Sequence, residues 1–267
     1  VMGKCFVFVN QKGGVGKTTS CINIGAYIAL AGKKVLLVDF DSQGNMSSGV
    51  GVSKDKPTVY ELISGQVSAS EAVKKSTVEG LDIISASIDL SGAAIELVDQ
   101  ENREFFLKNA LAPIKEQYDY ILIDCSPSLG MMTLNSLSAA DSVIIPVQAH
   151  YLPAKCMTQL LRTVNKVKRH INPNLKIDGI LLTIVDNRTN LAKSTVDALR
   201  ENFGSHIRIF KSQIPMAVKA AEVASKGKSI YAYEPNSTVS KAYTEFTKEV
   251  LADGDRKKER LHSAHVR

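Results

Sequence analysis

Cysteine is scarce in this chain: four in 267 residues, none in a C-x-x-C pair. Metal and redox centres built on thiolates need close ligand spacing, so the scatter of Cys5, Cys21, Cys125 and Cys156 argues against an iron–sulfur or zinc role. Three of the four lie in apolar surroundings, and buried thiols in a reducing cytosol are the economical expectation. Long hydrophobic runs are also missing. None approaches the roughly 20 residues that cross a bilayer, and the amino end shows no charged-then-apolar leader. No Pro-, Gly- or Ser-rich linker divides the chain, although its length alone leaves one or two domains open. The excess of basic over acidic residues is modest, 33 against 27, and favours an anionic partner without requiring one.

What is present is organised around Asn10-Gln11-Lys12-Gly13-Gly14-Val15-Gly16-Lys17-Thr18-Thr19. The run Cys5 to Val9 before it is short, β-branched and aromatic, and reads as a buried strand. The residues after Thr19 are apolar at helical spacing. Strand, glycine loop and helix together form the setting of a phosphate-binding loop. Glycines let successive backbone N–H groups turn toward one anion, and the helix amino terminus adds its positive end. Lys17 is then expected on the β- and γ-phosphates and the Thr18 hydroxyl on Mg²⁺, with Gly13, Gly14, Val15, Gly16 and Thr19 completing the cradle.

The next buried strand, Val35 to Val38, delivers Asp39-Phe40-Asp41-Ser42-Gln43-Gly44-Asn45. Acidic residues at a strand's carboxyl end beside such a loop sit where Mg²⁺ and an attacking water are held. A third strand, Ile121 to Ile123, ends in Asp124, a candidate Mg²⁺ ligand through water.

The loop departs from G-x-x-x-x-G-K-[ST], because Gln11 stands where the first glycine belongs and Lys12 adds a second lysine. K-G-G-V-G-K-T-T resembles the deviant Walker A motif of the ParA/MinD group of P-loop ATPases. From Lys4 to about Leu251 the chain resembles the ParA/Soj partition ATPases. That resemblance implies that Lys12 reaches the nucleotide of the opposite subunit in an ATP-dependent homodimer, and that Asp41 orients the water. Catalytic roles would therefore fall to Lys12, Lys17 and Asp41, and metal binding to Thr18, Asp41 and Asp124. Ser42 and Ser126 stand where the family usually has proline.

The carboxyl-terminal half carries two basic regions. From Pro153 to Ile171, Met157, Leu160, Val164 and Val167 fall on one helical side and Lys155, Arg162, Lys166 and Arg169 on the other; no acidic residue occurs between Pro153 and Lys176. Between Arg188 and Lys228 eight basic residues face three acidic ones. Family resemblance aligns Arg188 and Lys219 with DNA-contacting residues, while Met216 and Ala224 depart from its arginine and proline.

The expectation is one α/β P-loop NTPase domain over residues 2–252, a mostly parallel twisted sheet with helices on both faces, then a basic, frayed tail at 253–267. By resemblance it is an ATP-hydrolysing partition protein using Mg²⁺, cytoplasmic and nucleoid-associated. It would bind double-stranded DNA non-specifically and answer to a ParB-type partner. The alternatives are a MinD-like membrane ATPase, for which the tail lacks an amphipathic apolar face, and an ATP-gated scaffold with little turnover.

Overall fold

A computed structural model describes residues 3–149, 154–216 and 234–265, with the backbone alone for Ala154 and 253–265. Lys219 and Ala224, named above from the sequence, lie outside the described residues.

In chain order the elements are β1 (Lys4–Phe8), α1 (Lys17–Leu30), β2 (Val35–Phe40), α2 (Asn45–Gly49), α3 (Val59–Ile63), α4 (Ala69–Ala72), β3 (Val73–Lys75) and β4 (Leu81–Ile84). Then follow α5 (Leu90–Glu96), α6 (Phe106–Leu111), β5 (Tyr120–Cys125), α7 (Met131–Ala139), β6 (Ser142–Gln148), α8 (Ala154–His170), β7 (Lys176–Val185), α9 (Asn190–Phe203), β8 (Ile209–Pro215) and α10 (Thr238–His265). Among the described residues the strands form one sheet in the order β3-β4-β2-β5-β1-β6-β7-β8, parallel except where β3 meets β4.

Alternation along the strands explains why both faces are covered. Cys5, Val7, Leu36, Val38, Ile121, Ile123, Val143 and Ile145 enter one core, against α3 to α9. Phe6, Phe8, Val35, Leu37, Leu122 and Ile144 enter the other, against α1 and α10. Each fully buried aliphatic or aromatic side chain contributes about 1.5–3 kcal/mol, so a sheet filled on both sides holds its central strands firmly.

Three expectations on local structure change. Ser70 to Lys75 suggests a helix, but α4 starts on a Ser68–Glu71 capping box and stops at Ala72, and Val73–Lys75 pairs as an antiparallel edge strand. Glu101 to Gln117, with Phe105, Phe106, Leu107, Leu111 and Ile114 apolar, suggests one helix, but 3₁₀ turns at Arg103–Phe105 and Ala112–Gln117 flank α6, the second with Pro113 in its first turn. The last helix continues past Leu251 to His265, where a frayed tail is expected from the sequence.

Candidate active site

From β1 the chain moves one way, through α1 to β2, whereas from β5 it moves the other, through α7 to β6. The crevice outside the strand carboxyl ends, where that direction reverses, receives the ends of β1, β2 and β5.

The loop after β1 takes a shape that needs glycine. Gly14 and Gly16 have φ of 72° and 80°, and Gly16 caps the amino end of α1. Lys17, only 7% exposed, turns back so that its Nζ donates to the Lys12 carbonyl at 3.2 Å. Three neighbours brace the loop from outside. Asn10 Nδ2 donates to the Pro146 carbonyl at 2.7 Å, Gln11 Nε2 to the Cys156 carbonyl at 2.8 Å, and the buried Thr183 hydroxyl to the Val15 carbonyl at 2.7 Å. Lys12 lies over the end of β6, its Nζ 3.5 Å from Gln148 Oε1.

The carboxylates gather beside α1. Thr18 Oγ1 donates to Asp124 Oδ2 at 2.6 Å, while Asp124 Oδ1 is buried with no hydrogen-bond partner. Burial, then the charge of Asp39, pushes the Asp124 carboxyl up to about 7. Asp39 stands opposite Asp124 in the β2–β5 register, and burial raises it to about 6. Its Oδ2 accepts from the Ser47 amide at 2.9 Å and hydroxyl at 2.6 Å, and the Ser47 oxygen in turn accepts from the Ala86 amide at 3.1 Å. Asp41 sits just past β2, half-buried, with Oδ1 accepting from the Gln43 amide at 3.0 Å.

An unpartnered buried carboxylate oxygen costs about 1–3 kcal/mol, and a hydrated cation would satisfy it. Thr18 and Asp124 therefore fit Mg²⁺. Among the described residues no three His, Cys, Asp or Glu side chains cluster as a self-sufficient metal centre. The remaining ligands would be waters and phosphate oxygens, the usual habit of Mg²⁺ beside a phosphate loop.

The structure thus brings Lys12, Lys17, Thr18, Asp41 and Asp124 to one crevice, though Asp41 forms no hydrogen bond to Thr18 or Asp124. Sequence reading missed the burial of Asp39, the Ser47 bridge and the Thr183 brace. Only the first left a signal: an aspartate inside an otherwise apolar strand, two residues before Asp41.

The basic surfaces differ from each other. Arg188 is 86% exposed but clasps Asp186 with both Nε (2.9 Å) and Nη2 (3.0 Å). On α8, Met157, Leu160, Val164 and Val167 are buried as their spacing predicts. Lys155, Arg162, Lys166 and Arg169 are exposed there, and none forms an ion pair among the described residues. No helix of the described residues is long and apolar enough to cross a membrane.

Comparison with known proteins bears on this arrangement. A family model described as AAA domain matches residues 3–177. The chain is 50% identical over 256 residues to the chromosome-partitioning ATPase Soj of Treponema pallidum, covering 96% of this chain and 100% of that one. It is 46% identical over 255 residues to the sporulation initiation inhibitor protein Soj of Bacillus subtilis, at 95% and 100% coverage. Among solved structures, a cobyrinic acid a,c-diamide synthase from Mycobacterium smegmatis with bound ADP and magnesium superposes with a TM-score of 0.83 at 36% identity, over 94% of each chain. With the loop, the carboxylates and near-full-length similarity in agreement, this chain belongs to the Soj/ParA family of chromosome-partitioning ATPases.

Proposed function

We propose that the protein is an ATP-dependent DNA-partition ATPase that dimerises on ATP, binds double-stranded DNA without sequence preference and hydrolyses ATP slowly until a ParB-type partner stimulates it. The observation carrying this reading is the Thr18–Asp124 contact beside a braced glycine loop, with one carboxylate oxygen left for a hydrated cation.

Each residue has a role set by its position. The loop amides and the start of α1 bind the phosphates, and Lys17 meets the β- and γ-oxygens. Thr18 and Asp124 would hold Mg²⁺, which when bound offsets charge on the phosphate oxygens. Asp41, at the open end of β2, orients the water. Lys12 rests on Gln148 in the single chain and would swing toward a partner's nucleotide in the dimer.

DNA binding follows from charge. Arg188 and Lys219 are the surface implied by the family, but the Asp186 carboxylate offsets Arg188 within its own loop. The exposed cations of α8 have no such counter-charge among the described residues, so we assign them the larger share of phosphate contacts. Dimerisation would double these contacts and make DNA affinity depend on ATP.

The test is DNA retention by the full chain with ATP, ADP and no nucleotide, alongside ATP turnover with and without DNA and the ParB-type partner. Retention in ATP alone and turnover raised by the partner are expected. Equal retention in all three states overturns ATP-gated DNA binding, and nucleotide binding without turnover under any condition makes the protein a scaffold.

A further inference from the structure

Past the carboxyl end of β4 the chain enters a segment that is apolar on both sides. Leu90, Ala93 and Leu97, at helical spacing, are buried in the core shared by α3 to α9 and fix α5 from that side. The opposite side should then be polar. Instead Ile88, Ile95 and Val98 are 65%, 79% and 48% exposed, three of the six large hydrophobic residues that stand exposed among the described residues. Ile88 lies in the turn before α5 and Ile95 in its last turn, with the small residues Ser91 and Gly92 between them in sequence, and Ser91 Oγ donates to the Ile88 carbonyl at 2.7 Å. One exposed isoleucine needs no explanation, but three large apolar residues exposed within eleven positions, Ile95 on α5 and Ile88 and Val98 in the turns that flank it, do.

The rim of this stripe is acidic in a chain that is basic overall. Asp89, Glu96, Asp99 and Glu101 are all exposed. Arg103 is the single basic residue from 87 to 104, and its guanidinium is turned onto the Val98 carbonyl. Asp89 lies 3.7 Å from Lys56 and Glu96 accepts from the Tyr60 hydroxyl at 2.8 Å, while Asp99 and Glu101 form no ion pair among the described residues. An apolar stripe edged with carboxylates complements a helix with one apolar and one cationic face.

Its position couples it to the carboxylates. Ala86, two residues before Ile88, donates to Ser47 Oγ, and Ser47 donates to Asp39, the neighbour of Asp124 in the sheet. Two hydrogen bonds thus connect the base of the stripe with the crevice.

We propose that the exposed apolar surface formed by Ile95 of α5 and by Ile88 and Val98 in its flanking turns docks a short, basic, amphipathic segment of a partner protein. That this partner is the stimulating one rests on the function proposed above; the docking surface itself does not. The segment sets its apolar side chains over Ile88 and Ile95 and its cations against Asp99 and Glu101, and pressure at Ala86 passes to Ser47 and Asp39.

The probe is a leucine–lysine peptide of about 18 residues with its leucines on one helical face, compared with a scrambled peptide of the same composition. Both are titrated by fluorescence anisotropy into the ATP-loaded full chain and into Ile88→Ser/Ile95→Ser/Val98→Ser. The parent should bind the amphipathic peptide at least about tenfold more tightly than the scrambled one, and the triple variant should lose that preference with basal turnover unchanged. Asp99→Asn/Glu101→Gln should weaken the same binding at low salt only. Equal peptide binding by parent and triple variant overturns the proposal. So does loss of ATP-driven dimerisation by the triple variant in light scattering, since a second copy then covers the face. In a second arm, the ParB-type partner should need at least about tenfold more protein for half-maximal stimulation of the triple variant. Undiminished stimulation of that variant overturns the surface and leaves the partner standing. If the parent is not stimulated, the partner reading fails and the peptide result alone decides the surface.

Discussion

Asp39 and Asp124 occupy matching positions on adjacent parallel strands, and protein encloses both. Their ordinary value is 3.8, and burial raises Asp39 to about 6 and Asp124 to about 7. Between the ordinary and raised values the folded chain holds protons that the unfolded chain has released. The pair's contribution to stability is therefore most favourable below about pH 4, declines as pH rises to about 7, and is level above that. Melting temperatures of the metal-free chain should follow this trend, and Asp39→Asn, which removes one charge yet keeps an acceptor for Ser47, should shrink it. An identical pH profile for parent and variant would show that Asp39 does not contribute to the trend.

Lys17 and Asp41 separate binding from turnover. Lys17→Ala removes the buried ammonium nearest the phosphate cradle and should weaken ATP binding by roughly 10²-fold in calorimetry. Asp41→Ala breaks only a turn contact to Gln43, so ATP affinity should stay within about threefold while turnover falls by roughly 10²-fold or more. Parent-level hydrolysis by the Asp41 variant would move the water-orienting role elsewhere.

Lys12 and Gly13 isolate the dimer. A methyl group built on Gly13 meets no atom of its own chain within 4 Å, and its φ lies outside the left-handed region. Gly13→Ala should change monomer stability by less than about 0.5 kcal/mol yet impair ATP-driven dimerisation, because an opposing loop would meet the added carbon. Lys12→Ala should bind nucleotide as a monomer and fail to dimerise. Normal ATP-bound dimers of both variants in light scattering would remove this loop from the subunit seam.

The two basic surfaces predict different salt titrations. If about four phosphates per subunit are neutralised, log Kobs should fall with log salt at a slope near −7 for the dimer. Alanine at Lys155, Arg162, Lys166 and Arg169 should flatten that slope more than Arg188→Ala/Lys219→Ala. Since Arg188→Ala also removes the charged partner of Asp186, Asp186→Asn/Arg188→Ala is the proper control. Unchanged slopes in both sets, with dimerisation intact, would make these faces ordinary solvated surface.

The sequence alone determined the framework, because the features that carry it are local. Apolar runs of strand length, Gly14 and Gly16 at positive φ, and the adjacent Lys17 and Thr18 specify strand, loop and helix with no distant partner. The stripe of α8 was equally legible, since helical spacing alone separates Met157 and Leu160 from Lys155 and Arg162. What depended on strand order could not be read that way. Asp39 and Asp124 are 85 positions apart in sequence, and only the β2–β5 register makes them neighbours, so that the charge of Asp39 adds to burial in raising the Asp124 pKa. Val73–Lys75 is a strand because β4 offers it an edge, against the local helical pattern. Thr183 braces Val15 from 168 residues away, and Asp186 offsets Arg188 through a turn whose shape no spacing rule gives. Local chemistry chose the kind of site, and long-range packing decided which charges inside and around it are paired, buried or free to meet a ligand.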